Sequence, residues 1–555
     1  MPIFTQLVAA LAATAALLPA ARAAPGAAPL IPRIFAPEAV LPAAPNLARV
    51  WGWSAPGDVV NATVACAGKA YHGSGSAGAD GLWVLTLPSI DAVFGCSLAL
   101  NAANWSASVV PVHFGTVLFC GGQSNAHLPL DYSVNGTQEA ANAASYKNIR
   151  LLQQDTVSQA SMPLPDALAI VQSWTTPTPA IASGFSAICW WTGRYLSDAL
   201  RMSIPIGLVQ GAWPSTYIRQ LGPAEIGETC GVTGVDAATG ARDPCSGDSC
   251  KIFNSFMAPF QPGPFEFAAL VWLQGETDRN NPRFYNCALP AFINALRSRF
   301  NPLMYVAVIQ LAPWVAEGGL DVALLREAQS NASLAMERVG LAVSVDLGDP
   351  QAPAGSIHSR LKAPAGQRAA WLLLAGLFGN STFSTYVSPR YAGASGGAQG
   401  ATLKATINFA PGSTAGGLQA IAGAHCPVEL GVPAGECSGF AIGATDGVLY
   451  NASAAVGAGG DTLELTAIAK SSGLRVLVSF DANQTCAPLQ PRPPQKKTLT
   501  PYPLTYRTRP LATLTIPWHS SRTAWGCPWR PGRHSLCWPR CGGGRGGQRE
   551  HFFYL

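Results

Sequence analysis

Four segments carry the residues whose types and spacing could do chemistry. In Phe114-Gly-Thr-Val-Leu-Phe-Cys-Gly-Gly-Gln-Ser-Asn125 an apolar run ends in two glycines and a serine. Gly121 and Gly122 let the chain turn sharply at a strand end, which would expose Ser124 over the sheet edge, with Asn125 behind it. Backbone N–H groups at a helix start there could meet a developing oxyanion. A serine hydroxyl needs a base to become nucleophilic at neutral pH. By itself Gly-x-Ser more often marks a capping serine on a turn. Val271-Trp-Leu-Gln-Gly-Glu-Thr-Asp278 ends a second apolar run in polar residues. Gln274 could donate an amide proton to a tetrahedral oxyanion, and Glu276 could orient a base or bind sugar hydroxyls. Pro205 to Thr216 ends a third run in a loop, and Val345-Asp-Leu-Gly-Asp-Pro350 leads to Gly355-Ser-Ile-His358. Ser124, Gln274 with Glu276, and His358 at strand ends form the constellation that acyl transfer requires.

The elements that must position them alternate. Thr116–Cys120, Ile206–Gln210, Phe267–Leu273, Tyr305–Leu311 and Leu341–Asp346 read as buried strands. Helices are predicted over Ala187–Leu200, Leu289–Phe300 and 366–378. Apolar strands alternating with helices imply an α/β domain with a parallel sheet covered on both faces, over 116–385. Sites in such sheets lie beyond the carboxyl ends of the strands. Short alternating runs between turns, such as Asp58–Cys66 and Leu82–Leu87, predict a small β-sandwich-like domain over 46–115. Similar alternation in Ala401–Phe409, Asp461–Thr466 and Leu474–Phe480 predicts a second β domain over 386–490. Residues 24–45, rich in Ala and Pro, read as a linker.

The 555 residues are 48% apolar and 12% charged, enough to bury a large core and to exclude wholesale disorder. The net charge of +5 is misleading: residues 1–490 hold 24 basic and 29 acidic residues, while 491–555 hold 11 basic residues and one acid. No basic patch in the main body argues for nucleic acid or an anionic membrane. The tail breaks so abruptly in composition that it reads as disordered or mis-translated, and it receives no function.

Leu7 to Ala20 is short and apolar and ends in Ala21-Arg22-Ala23, a small-x-small cleavage pattern, so residues 1–23 read as a secretory signal peptide. Nothing else is long and apolar enough to span a membrane. Fourteen cysteines without zinc spacing argue for disulfides, with Cys245 and Cys250 closing a small loop. Seven Asn-x-Ser/Thr sequons, at Asn61, Asn104, Asn135, Asn331, Asn380, Asn451 and Asn483, suggest glycosylation.

The Gly-Gly-Gln-Ser-Asn, Trp-Leu-Gln-Gly-Glu-Thr-Asp and Gly-Ser-Ile-His segments, in this order, resemble the sialate O-acetylesterases, within the SGNH-type carbohydrate esterases. The resemblance spans roughly 46–487. It implies that Ser124 is the nucleophile, His358 the general base and Gln274 an oxyanion-hole side chain. It also implies acetyl-ester hydrolysis on carbohydrate through an acetyl-enzyme, with no cofactor or metal, in a secreted or lysosomal protein. The substrate would be an O-acetylated sialic acid. Another acetylated glycan such as xylan, or a catalytically weak glycan-binding relative, are the alternatives.

Two departures stand out. Related loops read Ser-Trp-Gly-Gly-Thr, whereas here Pro214 and Ser215 replace both glycines, and Pro214 has no N–H. SGNH enzymes place an acid three residues before the base, where this chain has Gly355. Asp349 is the preferred acid, Asp346 and Glu276 are alternatives, and a Ser–His dyad remains open.

Overall fold

The computed structural model describes residues 29–479 apart from 169, 232–233, 236–241, 244, 246, 315–319, 384–388, 390, 415–416, 419–440, 447 and 470–475. The signal peptide and the basic tail lie outside the described residues. The chain divides into two compact units: residues 1–274 with 290–307, and residues 275–289 with 308–555.

The first unit is organised around one long strand. Strands β1 (Ala39–Pro42), β2 (Val59–Cys66), β3 (Lys69–Ser76) and β4 (Val93–Asn101) precede β5 (Ser106–Gly122). β6 (Ile149–Gln154), β7 (Ile170–Thr175), β8 (Ile206–Ala212) and β9 (Ala269–Leu273) follow it. The amino-terminal half of β5 pairs antiparallel with β4, which continues through β2 to β3. Its carboxyl-terminal half lies between β8 and β9, both parallel to it, and β6 extends the sheet beyond β8. β7 closes that edge antiparallel. The result is a mixed sheet with helices, an α/β fold.

β8 and β9 are buried at every residue, as expected of strands covered on both faces. Helix Ala187–Ala199 begins under a Ser186 cap and is tied to β5 by the Cys120–Cys189 disulfide. Cys66–Cys96 and the predicted Cys245–Cys250 are also bonded.

Two predicted boundaries are corrected. The 115/116 division falls inside β5, which runs from Ser106 to Gly122 while its partner changes from β4 to β8. Within the described part of the expected linker, β1 is fully buried and pairs in parallel with β5, since Ala39-Val-Leu-Pro42 is an apolar strand despite its Ala/Pro-rich surroundings.

In the second unit, helix Leu320–Ala335 leads to strand Val339–Ala342 and then to helix Lys362–Gly376. An antiparallel sheet of Tyr391–Gln399, Thr402–Phe409, Thr462–Ile468 and Ser453–Val456 follows. A second sheet joins Ala441–Ala444 to Leu449–Asn451 and Val476–Ser479. Leu403, Ile407 and Leu465 of one share a core with Ile442 and Tyr450 of the other. Among the described residues no helix is long and apolar enough to cross a membrane.

Candidate active site

Ser124 is the first residue of a one-turn helix, Ser124–His127, directly beyond β5. Gly122 makes the turn possible. Its φ is +140°, and a Cβ there would lie 1.9 Å from the carbonyl oxygen of Leu273, so only glycine fits between β5 and β9. The Gln123 N–H donates to that same carbonyl at 3.2 Å, and the Trp213 N–H donates to Gly122 O at 2.9 Å. From the other side, the Ser186 hydroxyl donates to Ala126 O at 2.6 Å and the Ala187 N–H to Leu128 O at 2.9 Å. The turn bearing Ser124 is thus held on both flanks. Ser124 itself is partly exposed, and Asn125 behind it is buried.

Gln274 has no exposed surface. Its amide donates to Gln123 Oε1 at 3.2 Å and to Thr216 O at 2.9 Å. It therefore fastens the residue before Ser124 to the loop after β8. In that loop Ser215 has φ +56°, the left-handed conformation that favours glycine. The turn that glycine would permit is kept, with a serine carrying the strain. Trp272 is core, packed 4.5 Å from Phe292. Arg219 lies three residues beyond Thr216, its Nη2 3.2 Å from Asp248 and its guanidinium 4.3 Å above the Tyr217 ring.

In the second unit, Gly275 has φ +145°, with a would-be Cβ only 2.6 Å from Leu325 Cδ2. Glu276 follows, 2% exposed, and Asp278 is likewise buried. His358 is half-buried on the segment after Asp349. Its Nδ1 lies 2.8 Å from Ala354 O. A carbonyl oxygen only accepts, so Nδ1 carries the hydrogen, and Nε2 of the neutral ring holds the lone pair.

Asp349 does not serve His358 in this arrangement. Its carboxylate accepts Arg360 Nε at 2.6 Å, Nη2 at 3.0 Å and the backbone N–H at 3.2 Å. Burial would raise its pKa, but the hydrogen bonds and charge of Arg360 outweigh burial and hold it below the usual carboxylate range. A depressed carboxylate contributes stability that is present above the unfolded pKa, about 3.9, and is lost as pH falls through the lower folded value. Asp346, the second candidate, is engaged at 2.6 Å by both Nη atoms of Arg368. The sequence offered each acid as a partner for His358 but gave no sign of the arginines that would claim them.

Asp349→Asn should therefore behave as a loop mutation. We expect a loss of about 2 kcal/mol from the broken bidentate pair and less than a tenfold loss of turnover. Where a carboxylate orients the histidine, its removal costs about 10^4-fold. Urea unfolding and acetate release measured on the same sample separate the two roles.

Three residues were passed over in the sequence. Gln123 was quoted only as part of a motif, yet its buried side chain receives Gln274. His127 stands three residues after Ser124, and desolvation lowers its pKa. Lys362 opens the helix after His358 and is 4% exposed.

No protein-family model matches the chain. Sialate O-acetylesterase from Homo sapiens is 28% identical over 361 residues, which cover 60% of this chain and 68% of the relative. The Mus musculus sialate O-acetylesterase is 27% identical over 386 residues, covering 59% of this chain and 70% of the relative. Among solved structures, a carbohydrate acetylesterase from Xanthomonas citri superposes with a TM-score of 0.66 at 26% identity, covering 82% of this chain and 95% of that one. The chain resembles the sialate O-acetylesterases, as its motifs imply.

Proposed function

We propose that this chain, a carboxylic ester hydrolase of the sialate O-acetylesterase kind, removes O-acetyl groups from carbohydrate, with O-acetylated sialic acid as substrate. The observation that carries the reading is the locked turn of Gly122, Gln123 and Ser124, fixed to β9 and to the loop after β8 by Gln274. A nucleophile on such a turn is preorganised, which is where catalytic advantage arises.

In this mechanism Ser124 Oγ attacks the acetyl carbonyl and His358 Nε2 takes its proton. The tetrahedral intermediate collapses to an acetyl-enzyme as His358 returns the proton to the sugar oxygen. Water, deprotonated by His358, then releases acetate. The Ser124 N–H and a Gln274 amide proton receive the oxyanion. The longer Gln274 bond, to Gln123 Oε1, is the one exchanged. Asn125 and Gly122 shape the turn, and Glu276 is a buried carboxylate available to the site. The Ala354 carbonyl sets the His358 tautomer. We assign the sheet to an SGNH-type domain, with the strands before and after it as accessory β domains. A signal peptide and disulfides fit a secreted or lysosomal protein.

Arg219 supports a sialate substrate. It is a cation stacked on Tyr217 at the edge of the anchored loop, suited to a sugar carboxylate. The rival, a weakly catalytic glycan-binding relative, draws on Pro214 and the missing acid. Acetate release from O-acetylated sialic acid, acetylated xylo-oligosaccharide and 4-nitrophenyl acetate tests all three readings. We expect kcat/KM on the sialate to exceed that on the xylo-oligosaccharide at least tenfold. The reverse ratio would name another glycan, and no turnover by folded protein would leave the binding relative.

A further inference from the structure

Lys362 is the first residue of helix Lys362–Gly376 and is almost wholly buried. Both circumstances are unfavourable to an ammonium group. Burial strips its hydration, and the positive end of the helix dipole repels it. Two buried carboxylates, Glu276 and Asp349, favour its charged form. Asp349 is in turn bound by Arg360, whose carbonyl accepts the Lys362 N–H at 2.8 Å. Lys362 also stands four residues after His358. The intervening Ser359 hydroxyl donates to Leu347 O at 2.6 Å and accepts the Leu361 N–H at 3.2 Å.

We propose that Lys362 is a positioning residue for the segment that carries His358, acting through the buried carboxylates of Glu276 and Asp349. The proposal rests on the reading of His358 as the general base. Lys362, Arg360, Glu276 and Asp349 together balance two positive against two negative charges. Desolvation pulls the Lys362 ammonium down to about 7, against the opposing pull of Glu276 and Asp349. Above that pH the cluster loses a positive charge beside Glu276 and Asp349, and the segment from Asp349 to Lys362 that carries His358 loosens. Turnover should fall on the alkaline side as Lys362 loses its proton.

The test is kcat and KM between pH 5 and 10 for the full chain with a neutral ester, 4-methylumbelliferyl acetate, which introduces no titration of substrate. Wild type should show an alkaline limb in kcat. Lys362→Arg, which keeps its charge, should move that limb up by at least two pH units. Lys362→Met should lower kcat at pH 7 at least tenfold with KM within twofold. The Glu276→Gln, Lys362→Met double variant, which removes the buried charge in pairs, should recover part of the loss. A wild-type profile flat to pH 9, or an alkaline limb unmoved in Lys362→Arg, would overturn the proposal. So would a folded Lys362→Met with wild-type kcat. If Lys362→Met does not fold, wild type and Lys362→Arg decide. Activity surviving in His358→Ala would instead show that the underlying assignment of the base had failed.

Discussion

Acetate release by the Ser124→Ala variant falls by about 10^4- to 10^6-fold, the range over which loss of a nucleophile removes covalent catalysis. Melting should stay within about 2 °C of wild type, because bonds made by other residues hold the turn on both flanks. The fixed points are Gly122 against Leu273 O, the Gln123 and Trp213 N–H bonds, and the Ser186 bond to Ala126 O, all of them outside the Ser124 side chain. Alanine is also a good residue at the start of a helix. The N-cap position belongs to Gln123. Rate and stability thus respond separately, unlike in a substitution of Gly122, which would damage both. A variant retaining a tenth of wild-type turnover would show that some other group attacks the acetyl carbonyl. Substrate affinity surviving in Ser124→Ala would show that binding and attack are separable.

Much of this site is legible in sequence because strand ends leave a local signature. Apolar runs that stop at Gly-Gly-Gln-Ser or Gln-Gly-Glu declare both the strand and the polar residues it delivers. Ile206–Gln210 and Phe267–Leu273 accordingly correspond to β8 and β9. Helix Leu320–Ala335 was missed, and helix Pro282–Arg299 begins seven residues before its predicted start. The latter contains Pro290, which as sequence argues against a helix interior. The partners of Asp349 and Asp346 were hidden for a different reason. Arg360 and Arg368 follow them by 11 and 22 residues across irregular backbone, and no periodicity links such positions. Ser215 marks a further limit. Its residue type argued for a lost turn, while its φ of +56° preserves one.

On the proposed role of His358 as general base, His358→Ala should reduce turnover by about 10^3- to 10^5-fold with KM little changed, since a base moves protons without gripping the substrate. The geometry adds a sharper expectation. With Nδ1 donating to the Ala354 carbonyl, the ring is held in the tautomer that presents Nε2 as base. Single carboxylate variants, Asp346→Asn and Asp349→Asn, should then each cost far less than His358→Ala. Added imidazole should restore part of the activity of His358→Ala by entering the space the ring vacates. His127 provides the control: it lies closer to Ser124 in sequence, and burial favours its neutral form. If His127→Ala were the inactive variant and His358→Ala the active one, the base would have to be reassigned to the helix that Ser124 begins. If both were inactive, imidazole rescue of one alone would identify the base. Rescue of His358→Ala, with no effect of imidazole on His127→Ala, would make the His358 side chain the proton carrier and the Ala354 carbonyl the group that aims it.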